Sequence, residues 1–283
     1  MENICRIVSL YSGSGGNSAF IRVGSHAILI DAGKSARALC RALTDIGESI
    51  ENISAIFITH EHTDHVSALE VIAKKHAIPI HITEQSAERF DERCTPNCFS
   101  RLFVHGIDFC EKVGDMTVRS FRTPHDSRMS VGYRIEFFDG ERQRAIGYAT
   151  DIGYITDDIR NNLTGCEAVV LESNHDVDML MSGPYPRDLK LRVASRRGHL
   201  SNCECAEFAL ELAKSGTKAF LLAHLSKENN EPCLALDEVR GAVAEFGATV
   251  LTADPELPVE LKIPSDEESE EYAERQIYNP WNA

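Results

Sequence analysis

Thr59-His60-Glu61-His62-Thr63-Asp64-His65 is the stretch on which the reading of this chain turns. Residues 55–59 form a short apolar, β-branched run that predicts a buried strand, and Val66, Leu69, Ile72 and Ala73 recur afterwards at helical spacing. The motif therefore lies on a strand-to-helix turn. Side chains at i and i+2 of an extended chain point to one side, so His60 and His62 face the same way. Asp64 and His65 follow in the first helical turn and can face the same pocket. The zinc-protease pattern, two histidines at i and i+4 of a helix with a Glu between, is a different arrangement. A simpler reading has Asp64 capping the helix and the histidines on the surface. Four ligand-type residues at one strand end weigh against it.

Working outward, further chemistry-bearing residues fall at other strand ends. Asp31 closes the run 26–31, which turns back on 19–23 at Gly24-Ser25. Glu172 closes 168–172 and His224 closes 218–224. His125 follows Pro124, and Asp151 precedes Ile152-Gly153. Each is ambiguous alone: His125 as a loop residue, Asp151 as turn chemistry, His224 as a satisfied core histidine. Strands are also predicted at 4–11, 79–83, 116–121, 131–138, 144–150 and 259–263. Helices are predicted from a Ser35 cap to Gly47, after Asp64, and over 203–214 and 236–246. Strand runs early and βα alternation later predict an α/β domain of two sheets covered by helices. No Pro/Gly/Ser linker divides the chain. One domain, 1–264, is expected, followed by an acidic tail, 265–283, of net charge −5.

The spacing His60-x-His62-x-Asp64-His65 resembles the HxHxDH motif of the metallo-β-lactamase superfamily. Asp31, His125, Asp151 and His224 occur in the order of that family's other motifs. The resemblance implies a four-layer αβ/βα fold, two mixed sheets sandwiched between helices. It implies two divalent metal ions, Zn or Mn, with Fe as a further option. His60, His62 and His125 would hold one, and Asp64, His65 and His224 the other. Asp151 would bridge them, and Asp31 would hold a ligand imidazole by its other nitrogen. Two such ions sharing a water lower its pKa toward about 7. The hydroxide would then attack a phosphoryl or carbonyl centre, with Asp64 orienting it or helping to move its proton.

Three segments select a branch of the superfamily. Ser12-Gly13-Ser14-Gly15-Gly16-Asn17-Ser18 is either a phosphate nest, with Ser14 and Asn17 as contacts, or a plain tight connection. Glu172-Ser173-Asn174-His175-Asp176 and Arg197-Gly198-His199-Leu200-Ser201 look like the tRNA 3′-processing endonuclease branch, in which a Glu–His pair helps to protonate the leaving group. Glu172 and His199 are the candidates; otherwise His199 caps or packs the helix start. The whole set most resembles the YycJ/WalJ-type bacterial exonuclease group, which implies 5′ to 3′ digestion of duplex DNA. There is no insertion resembling a tRNA-gripping arm, and 151–224 is too short to hold a β-CASP domain. The alternatives are a small-molecule thioesterase or lactonase of the same fold, or an RNA-processing nuclease.

The 283 residues are 43% apolar by count, enough for a real core, and carry a formal net charge of −15. Such acidity opposes nucleic acid at long range. Residues 187–197, directly before His199, nevertheless net +4. Arg196 and Arg197, with Lys227 beside His224, are therefore candidate contacts for a polyanionic substrate, DNA by resemblance. The nine cysteines are odd in number and scattered, the N-terminus has no basic, apolar leader pattern, and no apolar run approaches the ~20 residues of a membrane span. A cytoplasmic protein with reduced thiols and no membrane partner is expected.

Overall fold

The predicted strands at the centre of the fold are nearly continuous apolar runs because both of their faces are covered. The computed structural model describes residues 5–91 and 100–263. The first half lays down β1 (Cys5–Tyr11), β2 (Ser18–Val23), β3 (His26–Ile30), α1 (Ala36–Asp45), β4 (Ile53–Phe57), α2 (Thr63–Val66), α3 (Leu69–Lys75), β5 (Ile80–Thr83), α4 (Glu84–Asp91) and β6 (Leu102–His105). Next come β7 (Cys110–Val113), β8 (Met116–Thr123), β9 (Ser130–Phe138), β10 (Gln143–Ala149), α5 (Asp157–Leu163), β11 (Ala168–Glu172), α6 (Val177–Ser182), α7 (Arg187–Val193) and α8 (Asn202–Lys214). The described chain closes with β12 (Ala219–Ala223), α9 (Pro232–Val243), β13 (Thr249–Thr252) and β14 (Val259–Leu261).

Two seven-stranded sheets result, ordered β14-β1-β2-β3-β4-β5-β6 and β13-β12-β11-β10-β9-β8-β7. Each is mixed. β3 to β6 and β10 to β13 pair in parallel, and the remaining neighbours are antiparallel. Alternation along a strand divides its side chains between two cores. Ile28 and Ile30 of β3 enter the core between the sheets, whereas Ala27 and Leu29 pack outward with Leu39 and Leu43 of α1 and Leu69 and Ile72 of α3. In the second sheet Val170 and Leu221 point inward. Leu171 and Leu222 point outward with Phe208 and Leu212 of α8 and Val239 of α9. Three cores separate four layers, the fold class expected from the motifs.

Boundaries moved where tertiary contacts compete with local pattern. The helix expected after Asp64 is broken into α2 and α3, because the Ala68 amide donates to the Ala32 carbonyl at 2.9 Å rather than continuing the helix. The helix expected at 236 starts at Pro232, a residue suited to a first helical turn. Strands β6, β7 and β13 and helices α4 to α7 went unpredicted. Those strands are short, and β7 alternates Cys110 and Lys112, exposed, with half-buried neighbours. The acidic tail, 265–283, lies outside the described residues. Every described cysteine is free, and no described helix is long and apolar enough to cross a membrane.

The loops after β1, β3 and β4 are stitched into one another. The Asn17 amide donates to the Asp64 carbonyl at 2.8 Å, Ala32 to the His65 carbonyl at 2.8 Å, and Gly33 to the Asn17 carbonyl at 2.9 Å. A Cβ at Gly33 would overlap the Asp64 carbonyl, which is fixed backbone. Gly33→Ala is therefore expected to lower stability by about 3 kcal/mol. A thermal denaturation midpoint equal to that of the unaltered protein would contradict this packing.

Candidate metal centre

The site is built where strands end. His60 and His62 follow β4, Asp64 and His65 open α2, and His125, Asp151 and His224 follow β8, β10 and β12. Two of these corners share a backbone device with Asp31, which follows β3. Asp31 (φ 62°), Asp151 (φ 58°) and His224 (φ 58°) are the non-glycine residues with left-handed backbone among the described residues. Outside glycine that conformation costs roughly 1–2 kcal/mol. It is kept here at side chains that all face one cluster, an observed strain that points to function rather than to folding.

The imidazoles are clamped from behind. His65 Nδ1 lies 2.7 Å from Asp31 Oδ2, His224 Nδ1 2.9 Å from Glu172 Oε1, His125 Nδ1 3.2 Å from the Gly198 carbonyl, and His60 Nδ1 3.0 Å from Thr59 Oγ1. Against the carboxylate and carbonyl acceptors Nδ1 carries the proton, which leaves Nε2 with its lone pair free for the cluster. These Nε2 atoms meet one another's partners. His65 Nε2 is 3.5 Å from both Asp64 Oδ2 and Asp151 Oδ2, His125 Nε2 is 3.8 Å from Asp151 Oδ1, and His60 Nε2 is 3.0 Å from His62 Nδ1. Several overlapping groups of ligand-type atoms lie close together here, among them His60, His62 and His125, and Asp64, His65 and His224, with Asp151 grouped with His60 and His65 and also with His224; His81, His105 and Glu111 form a further group.

The electrostatics call for added positive charge. Burial, with help from neighbouring imidazoles, pushes His60 well below its ordinary range. Burial opposes protonation of His65 too, but Asp31 and Asp151 outweigh it and hold that imidazole well above its usual value. His224 behaves likewise and is raised to about 10 by Asp151, Asp64 and Glu172 against the effect of burial. The carboxylates that favour a proton on these imidazoles would equally favour a bound cation, and metal binding would compete with that proton. Asp151 Oδ2, His224 Nε2 and Asp126 Oδ1 are buried with no hydrogen-bond partner. Orphaned acceptors converging with imidazole nitrogens fit divalent metal ions.

Around this cluster, Glu172 is fully buried and saturated. Its Oε1 accepts from His199 Nδ1 at 2.7 Å as well as from His224, and its Oε2 accepts the Ile152 and Leu200 amides at 2.7 and 3.1 Å. It positions two imidazoles and has no lone pair left for substrate. Its carboxyl lies well below the usual range, because His199 and His224 outweigh burial. The His199 ring sits 5.1 Å from that of His125 and 5.0 Å from that of His224. Asn17 is buried, with Nδ2 3.2 Å from Asp64 Oδ2. The amides of Gly13, Gly16 and Asn17 are bonded within the loop or to Asp64, which favours the tight-connection reading of 12–18. Ser14 and Lys227 are exposed. Arg196 and Arg197 line a cleft beside His125.

Sequence reasoning missed Thr59, Asp126 and the Gly198 carbonyl. Thr59 and Asp126 adjoin named ligands in sequence and could have been found; a backbone carbonyl leaves no sequence signal.

Residues 26–225 match the family model described as the β-lactamase superfamily domain. The exodeoxyribonuclease YycJ of Bacillus anthracis is 32% identical over 259 residues, covering 89% of this chain and 97% of that protein. The exodeoxyribonuclease WalJ of Streptococcus pneumoniae serotype 2 is 33% identical over 223 residues, 78% of this chain and 81% of that protein. Among solved structures, the metallo-β-lactamase fold protein YhfI from Bacillus subtilis superposes with a TM-score of 0.65 at 18% identity, over 91% of this chain and all of that one. At that identity the likeness speaks for the fold.

Proposed function

This chain belongs to the metallo-β-lactamase superfamily of metal-dependent hydrolases, and from that premise we propose that it is a dinuclear-metal phosphodiesterase, a DNA exonuclease working 5′ to 3′ on duplex DNA. The observation that carries this reading is the pair Glu172–His199 beside the ligand cluster. Hydrolysis of a phosphodiester expels a sugar alkoxide, a poor leaving group that needs a proton. Expulsion of a thiolate from a thioester needs none. His199 has its Nδ1–H held by the buried Glu172 carboxylate at 2.7 Å, which fixes the ring and leaves Nε2 as the atom placed to deliver a proton. The names carried by relatives at 32–33% identity support the same class.

The residues divide the work. His60, His62 and His125 would hold one ion, Asp64, His65 and His224 the other, and Asp151 would contact both. Zn or Mn suits this nitrogen and oxygen set. When bound, the ions polarise the phosphoryl oxygens and acidify water. Asp64, fixed by Asn17 Nδ2, orients the attacking water. Asp31 and Glu172 keep His65 and His224 in the tautomer that presents Nε2. His199 protonates the departing oxygen. Residues 1–264 would form the catalytic domain, in the cytoplasm.

Purified protein loaded with Zn or Mn should release nucleotides from linear duplex DNA, with two ions per chain by elemental analysis. EDTA should stop the reaction, lower the melting temperature, and be reversed by added metal. Turnover of acyl thioesters without attack on any DNA or RNA would overturn the assignment.

A further inference from the structure

A cleft of ≈ 700 Å³ opens beside His125, walled by the end of β8, the loop after it and residues 196–197. Four arginines line it, Arg122, Arg128, Arg196 and Arg197, against one carboxylate, Asp158. That carboxylate is engaged by the Arg122 amide at 2.9 Å and the Asn162 side-chain amide at 3.0 Å. Arg128 reaches out to Glu88 at 3.2 Å. The other three guanidiniums have no ion-pair partner among the described residues. Arg196 lies 3.8 Å over the Tyr154 ring, and Arg197 Nε donates to the His125 carbonyl at 3.3 Å. In a chain of net charge −15, acids were available to pair with them. Unpaired like charges around one concavity repel in the free protein, and a polyanion relieves that repulsion.

We propose that this cleft is a single-strand subsite that seats the nucleotides flanking the scissile bond. Arg122, Arg196 and Arg197 take their phosphates, and the Arg196–Tyr154 stack forms a platform for a base. The proposal rests on the phosphodiesterase reading above. The cleft's size falls in the range of pockets that enclose one small organic ligand, about 300–1,000 Å³. It is large enough for about one or two unpaired nucleotides. On this proposal the strand being cut enters the cleft alone, so a duplex end opens first and terminal unpairing becomes part of the specificity.

The test uses the full metal-loaded chain and three substrates: a duplex with paired ends, one with mismatched terminal pairs, and bis(p-nitrophenyl) phosphate. The unaltered protein should prefer the frayed end by about 5-fold or more in kcat/KM. Arg122→Gln combined with Arg196→Gln should cost about 10-fold or more on frayed DNA and distinctly less on the small diester. Its binding of a single-stranded oligonucleotide, read by fluorescence anisotropy, should have a log–log salt slope shallower by about 0.7 per lost phosphate contact. Arg122→Lys, which keeps the charge, should recover part of the loss. Arg41→Gln, an exposed charge on α1, should change nothing. Indifference of the unaltered protein to fraying overturns the proposal, as does equal loss by the double variant on DNA and diester. A protein that cleaves neither DNA nor the diester instead removes the phosphodiesterase reading, and this inference with it.

Discussion

Asp151→Asn is expected to reduce kcat/KM on duplex DNA by about 10³-fold or more, a loss of about 4 kcal/mol of transition-state stabilisation. Asp151 is 2% exposed and has His65, His125 and His224 within 3.8 Å. Its Oδ2 has no hydrogen-bond partner, so the carboxylate is placed for cations rather than for the fold. Asparagine keeps the shape, removes the charge and puts an N–H among lone pairs. Metal content should fall together with activity, and the fold, followed by circular dichroism, should persist. Full metal occupancy with activity within about 10-fold of the unaltered protein would remove Asp151 from the centre.

His199→Ala should slow turnover of DNA by roughly 10²–10⁴-fold, the range for loss of a positioned general acid, while both ions stay bound. A leaving-group comparison isolates the role. Diesters that expel p-nitrophenolate need no proton and should lose far less than DNA. Equal loss on both would make His199 a structural residue. Glu172→Gln makes a sharper contrast, because its Oε1 serves both His199 and His224. That variant should repeat the leaving-group effect and also weaken metal affinity by about 10–100-fold, the usual cost of removing a carboxylate behind a ligating imidazole.

Much of this was legible one residue at a time. The runs 168–172 and 26–31 read as strands because their apolar residues are continuous, and they match β11 and, to within a residue, β3. The ligand candidates were legible because His and Asp at strand ends are costly residues without a task. What stayed hidden depends on contacts between distant segments. The break between α2 and α3 is set by the Ala32 carbonyl, which no helical periodicity reports. Arg122 and Arg196 lie 74 positions apart and share a wall only after the second sheet has formed. Glu172 was read as the partner of His199; that it also holds His224 and takes the Ile152 and Leu200 amides was not legible.

The left-handed corners at Asp31, Asp151 and His224 also say how this protein will respond to selection for heat tolerance. Glycine at Asp151 or His224 relieves the backbone and removes an orphaned buried acceptor as well, whereas at Asp31 it strips Thr59 and His65 of their buried acceptor. A library sorted only on survival of heating in EDTA, where no bound ion offsets the strain, should therefore enrich glycine at Asp151 and His224 and yield proteins that no longer take up metal. The same library sorted on catalysis should hold all three side chains and gain its robustness elsewhere. The positions where the two outcomes diverge would map the active centre without any assumption about its chemistry.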